Sequence, residues 1–214
     1  MQGNPDTRGR IVYAAMELFG EKGYGSTSVA DILGRAGVNS GSLYHFFPGK
    51  QDVLIAVLDA YHEGIWAMLL EPVWQPLSDP IEKIFALLGC YRELLVQSEC
   101  LYGCPIGSLA LELHEPDPPV RERLAANFTA WTDAIDGCLA EVADRLPANL
   151  ARRELAEFVL TTMEGAVMLT RTYRDIQYFD RSVAQLRAYV DQLLTDNSRS
   201  SAIRRSPKAR RSSR

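Results

Sequence analysis

The sequence lacks both a hydrophobic run that could cross a bilayer and a leader-like beginning. Its longest apolar runs, such as Ala67–Leu70, are far shorter than the roughly 20 residues that a membrane-spanning helix needs. The opening residues, MQGNPDTRGR, contain no apolar segment of the kind found in secretory signals. We therefore expect a cytoplasmic protein with no membrane partner.

Residue types that carry catalytic or metal chemistry are also scarce. The chain has three histidines and four cysteines, and it shows no phosphate-binding loop or nucleophile–base pattern. A metal site formed by Cys100, Cys104 and His114 would lack a fourth ligand. The sequence thus predicts no enzyme, no metal site and no cofactor. In a cytoplasmic chain, thiols are more common than disulfides, and we expect thiols at Cys90, Cys100, Cys104 and Cys138.

Signals for β-strands are equally few. No Asn-Gly or Asp-Gly pair lies between two alternating runs that could form a hairpin, and β-branched residues do not alternate with polar ones over any sustained stretch. Apolar residues instead recur with helical spacing along the chain. The pattern predicts an all-α protein of nine helices, near residues 7–22, 29–36, 40–47, 50–71, 79–98, 105–114, 117–145, 149–173 and 180–195.

Charge is distributed unevenly. The chain carries a net charge of −4, but residues 197–214 hold seven basic side chains and no acidic one, so the remainder carries −11. Residues 1–62 are close to neutral, with five basic and six acidic side chains. A near-neutral N-terminal part can approach phosphate while an acidic remainder faces water. The Ser/Arg-rich end is expected to be disordered, and whether it touches DNA is left open.

The stretch Val29–Lys50, VADILGRAGVNSGSLYHFFPGK, organises the chain. One short helical pattern ends at Ala36-Gly37, and a second begins near Ser40 and is closed by Pro48-Gly49. Two short helices joined by a tight, glycine-containing turn form a helix-turn-helix, which places its second helix in the major groove of DNA. Within that second helix, we expect an inward face and an outward one. The inward residues are Leu43, Phe46 and Phe47, and the outward ones are Ser40, Gly41, Ser42, Tyr44 and His45.

This N-terminal third resembles the TetR/AcrR family of bacterial transcriptional repressors. The resemblance is carried by the spacing AGVxxGxLYxxF at residues 36–47 and by a lysine three residues beyond. A second segment, GCPIGSLA at residues 103–110, is similar to the LmrA/YxaF-like subgroup. Further matching residues are Ala15, Leu18, Phe19, Gly23, Tyr24, Thr27, Val29, Ile32 and Leu54.

The resemblance implies a TetR-like fold with a three-helix DNA-binding domain at residues 1–50 and a helical domain at 51–196. The second domain would bind a small-molecule effector and form a homodimer through helices at about 149–173 and 180–195. A helix at about 51–71 would connect the two domains, and a disordered basic tail would occupy 197–214. The expected DNA contacts are Thr27, Ser28, Asn39, Ser40, Gly41, Ser42, Tyr44, His45 and Lys50.

An effector pocket needs apolar walls with a few polar groups. The body helices offer aromatic, aliphatic and sulfur-containing side chains at inward positions, which favours an apolar or aromatic effector. The candidate lining residues are Trp66, Leu69, Phe85, Leu88, Tyr91, Cys104, Leu109, Leu113, Phe128, Trp131, Met163, Val167 and Thr170. Effector binding would favour a conformation in which the fourth helix swings and the dimer releases its palindromic DNA operator.

Two questions stay open at this level. Cys104 stands at a helix start, where the helix dipole lowers a thiol pKa, so it is a candidate sensor of electrophiles as well as a candidate core residue. The rival to a DNA-binding regulator is an all-α adaptor whose acidic body binds another protein. The sequence also leaves open whether regulation represses or activates.

Overall fold

The structure, a computed structural model, describes the backbone of residues 7–205 and the side chains of residues 7–197. Within this part of the chain there are nine helices and no strand, which confirms the predicted all-α fold. The helices are α1 Thr7–Lys22, α2 Val29–Ala36, α3 Ser40–Phe46, α4 Lys50–Trp74, α5 Pro80–Gln97, α6 Pro105–Glu112, α7 Pro118–Glu141, α8 Arg152–Tyr173 and α9 Gln177–Arg205. We call residues 7–50 the head and residues 51–205 the body.

The head is a small three-helix unit built on α1. The inner face of α1 buries Ile11, Ala15 and Leu18, which follow the helical period. Leu43 of α3 is fully buried in the same core. Gly37 ends α2 with φ +63°, a left-handed conformation that suits glycine, and the chain thereby turns sharply into α3.

Helix α4 connects the head to the body and extends further than the sequence predicted. We expected Pro72 to end it near residue 71, but a π-helical segment at Trp66–Leu70 is followed by an α-turn at Glu71–Trp74. The amide of Glu71 donates to the carbonyl of Trp66, five residues back. Because this π-turn already interrupts the regular hydrogen-bond ladder, Pro72 can continue the helix without breaking it.

Among residues 7–205, α4 is the one helix long and apolar enough, by length and composition, to span a membrane. Its inner side chains, including Val53, Leu54, Val57 and Leu58, are buried in the core of the protein. It packs on α1 of the head and on α7 of the body. The apolar composition of α4 therefore matches its position between these two helices.

The remaining body helices begin and end close to the predicted residues, with one exception. Asp79 caps α5 by accepting from the amide of Ile81 at 2.7 Å. Helix α9 continues to Arg205, so the prediction of disorder from residue 197 is wrong for residues 197–205. Residues 206–214 lie outside the described part of the chain. Helices α8 and α9 pack against each other.

Candidate DNA interface and body cavities

Helix α3 presents a polar outer face near its beginning. Ser40, Gly41, Tyr44 and His45 are exposed, and Tyr44 keeps 56% of its surface accessible. Ser42, also predicted to face outward, is half-buried. Residues near the N-terminus of a recognition helix are the ones that reach base edges in the major groove. The exposed face has the composition and position that a groove-reading surface requires.

Side-chain caps fix the beginnings of α2 and α3. The Asn39 side-chain oxygen accepts from the Ser42 amide at 2.8 Å and from the Ser42 hydroxyl at 3.1 Å. Ser28 and Asp31 form a reciprocal capping box, in which each side chain bonds the other residue's amide. Lys22 and Ser28 hold the pKa of Asp31 well below its usual range. Both capping residues, Asn39 and Ser28, are exposed, so contact with a phosphate stays a prediction for each.

Two side chains lie elsewhere than predicted. Thr27, expected at a phosphate, is 1% exposed, and its hydroxyl donates to the carbonyl of Gly23 at 2.7 Å. The neighbouring Ser28 takes the capping role, which leaves Thr27 to close the turn between α1 and α2. Phe46, expected in the core, is 40% exposed and lies edge-on to His45. Leu43 of α3 and Phe47, which directly follows the helix, are buried instead, so Phe46 adds an apolar group to the outer surface.

Lys50 is held by the head itself. Its ammonium group donates at 2.9 Å to the carbonyls of both Tyr24 and Thr27, and it lies 4.1 Å from the centre of the Tyr24 ring. A lysine has three donors, so these two carbonyls leave one N–H of Lys50 for a phosphate. The residue therefore stabilises the turn at Tyr24–Thr27, and its predicted DNA contact depends on the remaining donor.

Most other basic side chains of the head are also engaged within it. Such pairing removes positive charge that would otherwise attract phosphate. The engaged groups are Arg10 with the carbonyls of Ala36 and Gly37, Lys22 with Asp31 at 2.8 Å, and Arg35 with Glu17 at 3.2 Å and Glu21 at 2.8 Å.

Arg8 differs from these cations. At the beginning of α1, it stacks over the ring of Phe47 at 5.4 Å from the ring centre. Within residues 7–197 its guanidinium forms no hydrogen bond and no ion pair. It is exposed next to the C-terminal end of α3, which makes it a candidate phosphate contact that the sequence alone did not single out.

The body contains a cavity of about 270 Å³ between α6 and α8. Its walls are mainly apolar, with Glu164, Arg171, Arg174, Ser108 and Thr172 as polar groups. Arg171 bridges the two helices, since it donates to the Leu101 carbonyl at 3.1 Å and to the Ser108 hydroxyl at 2.9 Å. The remaining lining residues are Leu101, Cys104, Gly107, Leu111, Val167 and Met168.

A cluster of polar groups lies at the inner wall of this cavity. Burial and the neighbouring Glu164 carboxylate raise the pKa of Cys104 to about 12. Burial also raises the pKa of Glu164, and it raises that of Tyr91 well above its usual value. One carboxylate oxygen of Glu164 is buried with no hydrogen-bond partner among the described residues. A buried acceptor without a partner is costly, and a ligand that donates a hydrogen bond would satisfy it.

A smaller cavity of about 160 Å³ lies where the head meets the body. Phe19 and Gly20 of α1 line one side, and Tyr61 of α4 lines another. Ser108 and Arg171 line both this cavity and the one between α6 and α8. The hydrogen-bonded pair Ser108–Arg171 thus separates a site in the body from the base of the head.

Comparison with known proteins identifies the chain. The family model described as "Bacterial regulatory proteins, tetR family" matches residues 11–57, and the one described as "Transcriptional regulator LmrA/YxaF-like, C-terminal domain" matches residues 80–185. Together they cover well over half of the sequence. The chain belongs to the TetR family of bacterial transcriptional regulators. Because this family consists of DNA-binding regulators rather than enzymes, the sequence-based prediction of a non-enzyme is confirmed.

Relatives of this TetR-family regulator span nearly its whole length. An uncharacterised HTH-type transcriptional regulator of Mycobacterium tuberculosis is 34% identical over 198 residues, which cover 90% of this chain and 98% of that protein. The HTH-type transcriptional regulator LmrA of Bacillus subtilis is 30% identical, covering 79% and 89%. A TetR transcriptional regulator from Chloroflexus aurantiacus has a similar structure, with a TM-score of 0.74, 27% identity and coverage of 87% and 95%.

The residues predicted to bind an effector do not meet in one pocket of this TetR-family regulator. Cys104 and Val167 line the cavity between α6 and α8, Leu109 lines the smaller one, and Phe85 lines a separate cleft between α5 and α9. Trp66 is 57% exposed, which places it on the surface. Five others, Leu88, Tyr91, Trp131, Met163 and Thr170, are buried in the core. Leu69, Leu113 and Phe128 pack partly buried against that core.

Sequence reasoning missed the polar lining of the cavity. Glu164 and Arg171 fall on one face of α8 with Leu160 and Val167, at successive steps of four, three and four residues. The presence of charged residues inside an apolar helical stripe is the signal that could have identified Glu164 and Arg171. Charged side chains are seldom buried unless they have a partner.

Cys104 lies at the beginning of a helix, as predicted, but its thiol pKa is raised and not lowered. It caps α6, and its sulfur accepts from the Gly107 amide at 3.5 Å. We expected the helix dipole to lower its pKa, yet burial outweighs the dipole and raises it. A protonated, buried thiol is a poor nucleophile, so the structure does not favour electrophile sensing by Cys104. Residues 7–197 contain no cluster of three or more His, Cys, Asp and Glu side chains that could hold a metal.

Proposed function

We propose that this TetR-family regulator is a ligand-responsive repressor that binds a palindromic operator as a homodimer in the cytoplasm. The observation that carries the proposal is the exposed outer face of α3, with Ser40, Gly41, Tyr44 and His45 at its surface. The expected domain division, 1–50 for DNA and 51–196 for effector and dimerisation, is part of the same proposal. A relative from Mycobacterium sp. that is 24% identical is named "HTH-type transcriptional repressor DhaR", and that name supports repression.

Dimerisation through α8 and α9 is supported by the surface they share. Phe158 and Tyr189 lie edge-on at 6.1 Å, and they are 49% and 44% exposed. They border an open groove of about 770 Å³ between the two helices. Exposed aromatic side chains on adjacent helices are typical of an interface, and two-fold dimers are the commonest oligomers.

The effector site that we propose is the cavity between α6 and α8. Leu101, Leu111, Val167 and Met168 supply apolar walls for a small, mostly apolar or aromatic molecule. Glu164 and Arg171 supply hydrogen-bonding groups that would orient it. Binding would separate α6 from α8 and thereby favour a head position that does not fit DNA.

The proposal is tested by selecting bound fragments from random DNA with the full-length protein and measuring affinity by gel shift. Tyr44→Ala removes a predicted contact and is expected to weaken binding about tenfold, equivalent to about 1.4 kcal/mol. Tyr102→Ala is the matched control, since Tyr102 is 48% exposed but lies in the loop between α5 and α6. No selected DNA at low salt would reject the repressor and favour the protein-binding adaptor.

A further inference from the structure

The body makes a direct hydrogen-bonded contact with the turn between α1 and α2. Glu112, the last residue of α6, accepts from the amide of Tyr24 at 2.9 Å and from the amide of Gly25 at 2.6 Å, one with each carboxylate oxygen. Charge-assisted hydrogen bonds of this kind are stronger than those between neutral groups. One side chain of the body therefore binds two successive amides of the head.

Two glycines make room for this carboxylate. A Cβ atom at Gly23 would lie 2.9 Å from one carboxylate oxygen of Glu112, and a Cβ at Gly25 would lie 3.0 Å from the other. Gly23 also has φ +84°, which bends the chain so that the amides of Tyr24 and Gly25 point toward α6. The turn is thus shaped to accept a carboxylate.

The same turn is held from within the head by Lys50. The Lys50 ammonium bonds the carbonyls of Tyr24 and Thr27, whereas Glu112 bonds the amides of Tyr24 and Gly25. Both polar groups of the Tyr24 backbone are therefore bound by side chains of opposite charge. This arrangement fixes the turn relative to α4, through Lys50, and relative to α6, through Glu112.

The position of Glu112 in its own helix supports a role outside that helix. A carboxylate at the C-terminal end of a helix is disfavoured, because the carbonyl end of the helix carries partial negative charge. Its contact with the two amides offsets that cost. Glu115, three residues later, is exposed and has no hydrogen bond or ion pair within residues 7–197, so acidic residues here do not all make such contacts.

We propose that Glu112 is a positioning residue that sets the orientation of the head on the body, and with it the half-site spacing that the dimer reads. A dimer with rigidly held heads fits one spacing, whereas a head released from α6 accommodates several. The spacing part of the inference rests on the proposed operator-binding dimer, whereas the contact itself is independent of it.

Helix α6 also joins this contact to the proposed effector site. Gly103, just before α6, and Gly107, in its first turn, both pack on α8: a Cβ at Gly103 would lie 2.5 Å from a Val167 methyl, and a Cβ at Gly107 would overlap the Glu164 carboxylate. Its last residue is Glu112. Because α6 is a single two-turn helix, displacement of its first turn by a molecule in the cavity would move Glu112 away from the head.

The first test measures hydrogen exchange of the Tyr24 and Gly25 amides in the full-length protein. In Glu112→Ala, protection of these two amides is expected to fall about tenfold, and in Glu112→Gln by less, because an amide oxygen still accepts one hydrogen bond. Glu115→Ala removes the same charge nearby and should leave both amides unchanged. Unchanged exchange in Glu112→Ala would overturn the contact, whether or not the protein binds DNA.

The second test uses DNA fragments selected by the wild-type protein, with the two half-sites moved apart by one base pair. For each protein we compare the affinity for the selected spacing with the affinity for the altered one. This ratio is expected to be about fivefold lower in Glu112→Ala than in the wild type, and intermediate in Glu112→Gln. A general loss of stability would weaken both fragments equally. Faster amide exchange with an unchanged spacing preference would reject the positioning role, whereas failure to select any DNA would reject the proposed function alone.

Discussion

At the scale of single residues, the head leaves little positive charge for DNA. Lys22 and Arg35 are paired with carboxylates, and Arg10 and Lys50 bind backbone carbonyls. Charge counting along the sequence treats these side chains as equal, but only their partners decide which of them can neutralise a phosphate. Arg8, stacked on Phe47, is the strongest candidate.

The contrast between Arg8 and the engaged cations of the head leads to a prediction about the salt dependence of operator binding. Arg8→Ala should reduce the slope of log affinity against log salt by about 1 for each protomer, because each lost phosphate contact removes about 0.9 released counterions. Arg121→Ala is the control, since Arg121 is also an exposed arginine but belongs to α7 of the body. Gel shifts between low and moderate salt measure the slope. Equal slopes for the two variants would exclude Arg8 from the interface.

Cys104 shows a second limit of residue-level prediction. Its place at the beginning of a helix could be predicted from Pro105, but its pKa depends on what covers it. The side chain is 5% exposed and lies beside Glu164, a residue 60 positions away in the sequence. Desolvation and a neighbouring negative charge both disfavour a thiolate, so the tertiary environment reverses the effect of the helix dipole.

At the scale of helices, α6 owes its close approach to α8 to the glycines of the segment GCPIGSLA. Gly103 lies directly against Val167, a side chain with a short, stiff branch. The similarity of this segment to the LmrA/YxaF-like subgroup was readable from the sequence, and the match to that family confirms it. The sequence did not show, however, that the glycines of this segment allow close contact with α8.

Gly103→Ala should therefore destabilise the protein by about 1–3 kcal/mol, because the new methyl group would force Val167 or α6 to shift. Gly137→Ala is the matched control in α7, where a Cβ atom meets no neighbour, and it should stabilise by about 0.5–1 kcal/mol. Denaturant unfolding of both variants measures the free energies. A neutral or stabilising Gly103→Ala would mean that α6 does not depend on this contact.

Helix α4 illustrates how local rules can be overridden. Three prolines in nine residues, at positions 72, 76 and 80, predicted a loop after Glu71. The π-turn at Trp66–Leu70 accommodates the first of them, and the indole of Trp74 then donates to the carbonyl of Lys83 at 2.9 Å. Packing of Trp74 against α5 thus extends the helix beyond the point where its sequence alone would end it.

At the scale of the whole molecule, the exposed aromatic surface on α8 and α9 leads to a prediction about assembly. A double variant, Phe158→Glu with Tyr189→Glu, should convert the proposed dimer to a monomer, because two charges per protomer would be buried without partners. Leu94→Glu is the control, since Leu94 is 48% exposed on α5. Sedimentation velocity distinguishes the two states. A double variant with unchanged mass in solution would place the dimer interface elsewhere.

The sequence by itself determined the fold class, the positions of nearly all helices and the membership of the TetR family. These follow from local periodicity, caps and a closely spaced motif, which depend on residues that are neighbours in the chain. Tertiary structure alone decided that Thr27 is buried, that Phe46 is exposed and that Glu164 and Arg171 share a cavity wall. It also brought Glu112 to the amides of Tyr24 and Gly25, nearly 90 residues earlier in the chain. Contacts between distant residues depend on how helices pack, and no local pattern encodes that packing.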